Sequence, residues 1–110
     1  MTRPEMGHVL TISRATVPPE HEAEYVKTVH LLSRVAAGRN QHLWLFRSAI
    51  APHSYLEFSE SRTELAHRVR ASRTDMEERL ERRLREIAEY ATGAWDLWEE
   101  VSVPSDFPGT

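Results

Sequence analysis

Residues 42–58 read HLWLFRSAIAPHSYLEF, and how this stretch folds decides the architecture of the chain. Successive side chains of an extended strand point to opposite faces. Leu43, Leu45 and Ala49 therefore fall on one face of a strand over residues 43–50, and Trp44, Phe46 and Ile50 fall on the other. Pro52 and His53 supply turn chemistry, and SYLEFS returns as a second strand. An antiparallel sheet with one wet face alternates apolar with polar residues. This hairpin is apolar on both faces, so both need cover.

Working outward, residues 8–17 (HVLTISRATV) alternate, with Leu10 and Ile12 on one face and Val9, Thr11, Ser13 and Ala15 on the other, and they stop at Pro18 and Pro19. Two prolines cannot extend a ladder but suit the first turn of a helix. Glu20, Glu22 and Glu24 place negative charge at the positive end of that helix. Tyr25, Val29, Leu32 and Ala36 recur at helical spacing, widened by Val26 and Val35, up to Gly38 as C-cap. After the hairpin, Leu65, Val69, Met76, Leu80, Leu84, Ile87 and Ala91 trace a second, longer helical stripe closed by Gly93. Thr74 and Glu77 inside it have capping-box spacing, which predicts a break near residues 72–74. WDLWEEVSV, with Trp95, Leu97, Val101 and Val103 alternating, reads as a last strand before a polar tail over 104–110.

The order is β-α-β-β-α-β. It predicts one α+β domain over residues 1–110, with its core at about 8–103: a ferredoxin-like, four-stranded antiparallel sheet with both helices on one face. Two helices cover one side of such a sheet. The other side of the hairpin then calls for a second copy of the chain, sheet against sheet, because each large apolar side chain left wet forfeits about 1.5–3 kcal/mol.

Composition narrows the function. The net charge of −3, from 14 basic and 17 acidic residues, gives no basic patch for nucleic acid. The run RTDMEERLERRLREIAEY alternates acids and bases, with Glu78–Arg82 and Glu81–Arg85 at i,i+4, and reads as a solvated helix face. Without cysteine there is no disulfide, thiolate nucleophile or Cys-ligated metal. Six histidines show no metal- or haem-binding spacing, and no phosphate loop, dinucleotide fingerprint or serine elbow is present. No apolar run is long enough to span a bilayer and no signal peptide is evident, so a cytoplasmic protein is expected, with no metal indicated by the histidine spacing.

The β-α-β-β-α-β order over about 8–103, and YLEFSESRTELAHRVRAS at 55–72, resemble the dimeric α+β barrel superfamily that includes the antibiotic-biosynthesis-type monooxygenases. The shared local pattern is a strand, an aromatic (here Phe58), a short polar turn, and a helix carrying a histidine (here His67) before a break. The resemblance implies a homodimer with a pocket between sheet and helices in each subunit. The implied activity is cofactor-independent oxygenation of an aromatic or polyketide-like molecule. His67 would be base or donor and Asn40 a polar group near the substrate, their plainer roles being a half-exposed histidine and a turn residue. Trp44, Phe46, Tyr55, Trp95 and Trp98, with Phe58 at the family's aromatic position, offer aromatic walls or, alternatively, core and dimer packing. Arg47 needs a carboxylate such as Glu57 or a ligand anion, and His30 lies near the apolar face of the first helix. His21 and His53, at a helix start and a turn, are expected in solvent. The alternatives are a non-catalytic dimeric binding or stress-associated protein, and third a cyclase, isomerase or haem-degrading enzyme. An open cavity favours the enzyme and a filled interior the structural role.

Overall fold

The computed structural model of the chain describes residues 9–38, 41–61 and 74–102. Strand β1 (Val9–Thr16) leads through a 3-10 turn at Pro19–His21 into helix α1 (Glu22–Ala37). The hairpin β2 (Gln41–Arg47) and β3 (Ser54–Ser61) follows, then helix α2 (Asp75–Ile87) and two short strands, β4 (Glu89–Tyr90) and β5 (Leu97–Glu99). The sheet is antiparallel in the order β2-β3-β1-β4, with β5 on the same edge of β1 as β4. It is the ferredoxin-like α+β arrangement that the sequence predicts. Its fourth strand is split: β4 pairs with Ala15 and Thr16, and β5 with Val9, Leu10 and Thr11.

The covered face is set by β1, where Val9, Thr11, Ser13 and Ala15 are buried. They align with Ser61, Ser59, Glu57 and Tyr55 of β3, and those with Gln41, Leu43, Leu45 and Arg47 of β2. The stripe of α1 closes over them, with Tyr25, Val29 and Ala36 buried. Leu84, Ile87 and Ala88 complete the core with Ala15, Val17, Tyr25, Val29 and Tyr55.

On the opposite face, β2, β3 and β1 line up Phe46–Leu56–Arg14, Trp44–Phe58–Ile12 and His42–Glu60–Leu10, with Trp98 beside Leu10. Trp44 is 46 % exposed, Phe46 55 % and Trp98 58 %. The two apolar faces of the hairpin are thus separated as expected: Leu43 and Leu45 pack on the core while Trp44 and Phe46 do not.

Helix α2 starts where the capping box is read. Thr74 is extended, its hydroxyl accepts from the Glu77 amide, and the Glu77 carboxylate accepts from the Thr74 amide. An unbroken helix from Leu65 to Ala91 is therefore excluded; the short helix expected before the break lies outside the described residues.

Four boundaries differ from the sequence reading, one being the last strand, which ends at Glu99 rather than running on through Val101. Strand β2 ends at Arg47, because the Ser48 hydroxyl accepts from the amides of Ile50 and Ala51 and turns the chain there; Ile50 is almost wholly exposed. Helix α2 ends at Ile87 rather than near Ala91, since Ala88 is extended and Glu89–Tyr90 find ladder partners on β1. Gly93 (φ 86°) and Trp95 (φ 68°) then form a turn with positive φ, so the last strand resumes only at Leu97. Among the described residues no helix is long and apolar enough to cross a membrane.

Candidate functional site

Between the sheet and the helices lies a cavity of about 170 Å³, partly open to solvent. Thr11 and Ser13 of β1, Glu57 and Ser59 of β3, and Gln41 and Leu43 of β2 form its floor. Leu32 and Ala36 of α1 and Glu77, Glu81, Leu84 and Arg85 of α2 form the walls, and Tyr90 and Trp95 close one end.

At the floor is a buried acid. Glu57 is 8 % exposed, placed by strand alternation between Tyr55 and Ser59 on the covered face. Its Oε2 accepts hydrogen bonds from the Tyr25 hydroxyl of α1 and the Tyr90 hydroxyl of β4, each at 2.6 Å. Among the described residues no donor reaches Oε1. Burial pushes the Glu57 carboxyl above its ordinary value, and the two tyrosine hydrogen bonds pull against that shift. Both phenols are driven far above theirs, by burial first and the Glu57 charge second, so they remain neutral donors.

Trp95 is fixed by the turn that splits the fourth strand. Its amide donates to the Ser13 hydroxyl, its ring lies 4.7 Å from that of Tyr90, and the Arg85 guanidinium sits 5.8 Å over it. The cavity thus combines an aromatic end, an aliphatic wall and a carboxylate oxygen open to a donor. Among the described residues no cluster of His, Asp or Glu is arranged to hold a metal.

A second polar cluster ties the hairpin to α1. Glu22 accepts from the Tyr55 hydroxyl at 2.6 Å, and His53 Nδ1 lies 2.8 Å from its other oxygen. These two bonds hold the Glu22 carboxyl below its ordinary value, with the Arg47 charge adding to the effect. His53 is thus engaged rather than free in solvent. Arg47 acts on Glu22 and Tyr55, whereas the expected partner Glu57 is held by the tyrosines.

His67 and Asn40 lie outside the described residues. Trp44, Phe46 and Phe58 share the open face of the sheet, on the far side from the cavity. Tyr55 is buried in the core against Tyr25, Arg47 stands at the end of β2, and His30 is exposed on α1; none lines the cavity. Glu57, Tyr25 and Tyr90 were not recognised as a group. The available signal was alternation: in SYLEFS, Tyr55 and Glu57 share a face, so an acid on the covered side calls for buried donors.

No family profile matches the sequence, and no curated protein does. Solved structures share the fold. An antibiotic-biosynthesis-monooxygenase-type protein from Nitrosomonas europaea superposes with a TM-score of 0.69 at 8 % identity, over 91 % of this chain and 96 % of its own. One from Bordetella bronchiseptica gives 0.62 at 22 % identity, over 89 % and 99 %. SnoaB, a cofactor-independent oxygenase from Streptomyces nogalater, gives 0.60 at 16 % identity, over 90 % and 96 %. At these identities the likeness is one of fold.

Proposed function

We propose that the chain is a cytoplasmic homodimer whose subunits each bind a small aromatic or polyketide-like molecule in the cavity and oxidise it with dioxygen, without a cofactor. The cavity between sheet and helices is the observation that carries this reading, because a purely structural protein would fill that space with side chains. The fold shared with a cofactor-independent oxygenase supports the reaction type. The cavity volume of about 170 Å³ accepts one aromatic ring, since a cavity near 150 Å³ holds benzene. A larger substrate extends through the open side.

In such a reaction a base removes a proton from an activated ring carbon, and the anion gives one electron to dioxygen. Recombination forms a C–O bond as a peroxide, which takes up the proton. Loss of water then leaves a carbonyl: a ring CH₂ and O₂ become C=O and H₂O. His67 is assigned as base or donor and Asn40 as support, on the strength of the sequence pattern. Trp44, Phe46 and Phe58 serve the sheet-to-sheet contact rather than the ligand.

The test is oxygen uptake by purified protein with electron-rich aromatic probes and no added flavin, nicotinamide or metal. One O₂ consumed per carbonyl formed is expected, with a loss on the order of 100-fold in His67→Ala at unchanged fold. Uptake no faster than without protein removes the enzyme reading and leaves a binding protein.

A further inference from the structure

The polar arrangement at the cavity floor is asymmetric. Glu57 Oε2 takes both tyrosine hydroxyls, while Oε1 receives no donor from the described residues. A buried carboxylate oxygen without a hydrogen bond is costly, so a ligand that supplies a donor gains more here than on an exposed acid. Tyr25 and Tyr90 come from different elements and fix the carboxylate from two directions. The remaining acceptor therefore has a defined position.

We propose that Glu57 selects uncharged, ring-sized hydroxyarenes for this cavity, reading the ring hydroxyl through Oε1, and that aromatic acids are rejected. The inference rests on the reading of the cavity as the ligand site. Size sets the portion of the ligand held at the floor to one ring, as the volume is close to that of a benzene-holding cavity. Shape sets flatness, with the Trp95 ring at one end and Leu32, Leu43 and Leu84 among the walls. Charge sets the sign: among the described lining residues the buried Glu57 carboxylate meets a ligand at the floor and disfavours an anion, while the Arg85 guanidinium over Trp95 disfavours a cation. A carboxylate on the ligand would face like charge at the floor and leave Oε1 unserved. A phenol offers the missing donor and brings no charge.

The test compares four probes of similar size on the full chain: phenol, anisole, benzoate and benzylammonium, with dissociation constants read from tryptophan quenching and calorimetry. Phenol is expected to bind at least about tenfold more tightly than anisole, which lacks the donor, with benzoate weakest. In Glu57→Gln the amide oxygen takes the tyrosine donors and the NH₂ faces the ligand; the oxygens of phenol and anisole both accept from it, so the preference for phenol is lost. Equal binding of phenol and anisole by the wild type, tightest binding of benzoate or benzylammonium, or an unchanged phenol-to-anisole ratio in the folded variant overturns the proposal. The wild-type comparison stands even where the variant does not fold. Failure of all four probes to bind removes the cavity reading together with this one. Phenol selectivity without oxygen uptake removes only the oxygenation.

Discussion

The two faces of the sheet divide their polar and apolar residues in different ways. On the side covered by helices, the central strands bury Thr11, Ser13, Glu57 and Ser61. On the side left open in a single chain they present Ile12, Leu56 and Phe58, flanked by Trp44, Phe46 and Trp98. A sheet that needed only to fold would place its largest apolar residues under the helices and its polar ones in water. Here the covered side carries polar groups around a cavity beside its apolar core, and the open face carries large apolar side chains as well. On the proposed reading, one face serves a ligand and the other association.

The largest effect expected from breaking this division is on the open face. Trp44→Glu combined with Phe46→Glu removes two large apolar contacts worth about 3–6 kcal/mol together, and sets charges against each other across the contact. The dissociation constant of the dimer should rise by two orders of magnitude or more in sedimentation, while the far-ultraviolet circular dichroism of the monomer is unchanged. A chain that sediments as a monomer before the substitutions would assign the open face to some other partner. The covered face should respond in the opposite way. Leu84→Ala hollows the wall of the cavity within the core and costs about 2–5 kcal/mol in urea unfolding of the monomeric background.

Much of this division was legible in the chain. β1, α1 and the hairpin are set by local signals: alternation, a helical stripe, two prolines and a turn. Thr74 and Glu77 mark the start of α2 because a capping box is complete within four residues. The end of α2 was not legible. Ala88 to Ala91 continue the helical pattern, and what stops the helix is a ladder with Ala15 and Thr16 more than 70 residues away. The same distance hides the site. Tyr90 reaches Glu57 only once the fourth strand lies beside β1, and nothing near Glu57 in sequence announces its two donors. On the open face, alternation identified Trp44 and Phe46 as needing cover and pointed to a second copy, whereas their candidate role as ligand walls followed from residue type alone.

The buried acid offers a way to sharpen the contrast through pH. A carboxyl whose folded value lies above its unfolded one binds its proton more tightly in the folded chain. Stability contributed by Glu57 is therefore full below the ordinary value of 4.5 and is lost as pH rises from there through the raised folded value. Glu22 and Glu24, whose values are lowered by hydrogen bonds from Tyr55 and Arg83, act oppositely and lose their contribution as pH falls. Glu57→Gln isolates the first trend. Measured by urea unfolding, its stability relative to wild type should improve between pH 4 and pH 8. A difference that is constant with pH would mean that the fold leaves this carboxyl at its ordinary value.

The smallest effect expected tests whether every polar group on the covered side serves the ligand. Glu77 is as buried as any residue of the core and lines the cavity, yet its carboxylate accepts the Thr74 amide and its own amide donates to the Thr74 hydroxyl. Those bonds satisfy donors that every helix start leaves open. Thr74→Ala removes the hydroxyl half of the box and should cost about 1 kcal/mol of stability. The phenol-to-anisole ratio should stay within about twofold of wild type, because the Glu57 hydrogen bond that sets it is untouched. A large change in that ratio would show that the start of α2 positions the ligand and that the two carboxylates act as one group. An unchanged ratio with the expected loss of stability would leave Glu77 a helix cap exposed to the cavity, and Glu57 the residue that reads what enters it.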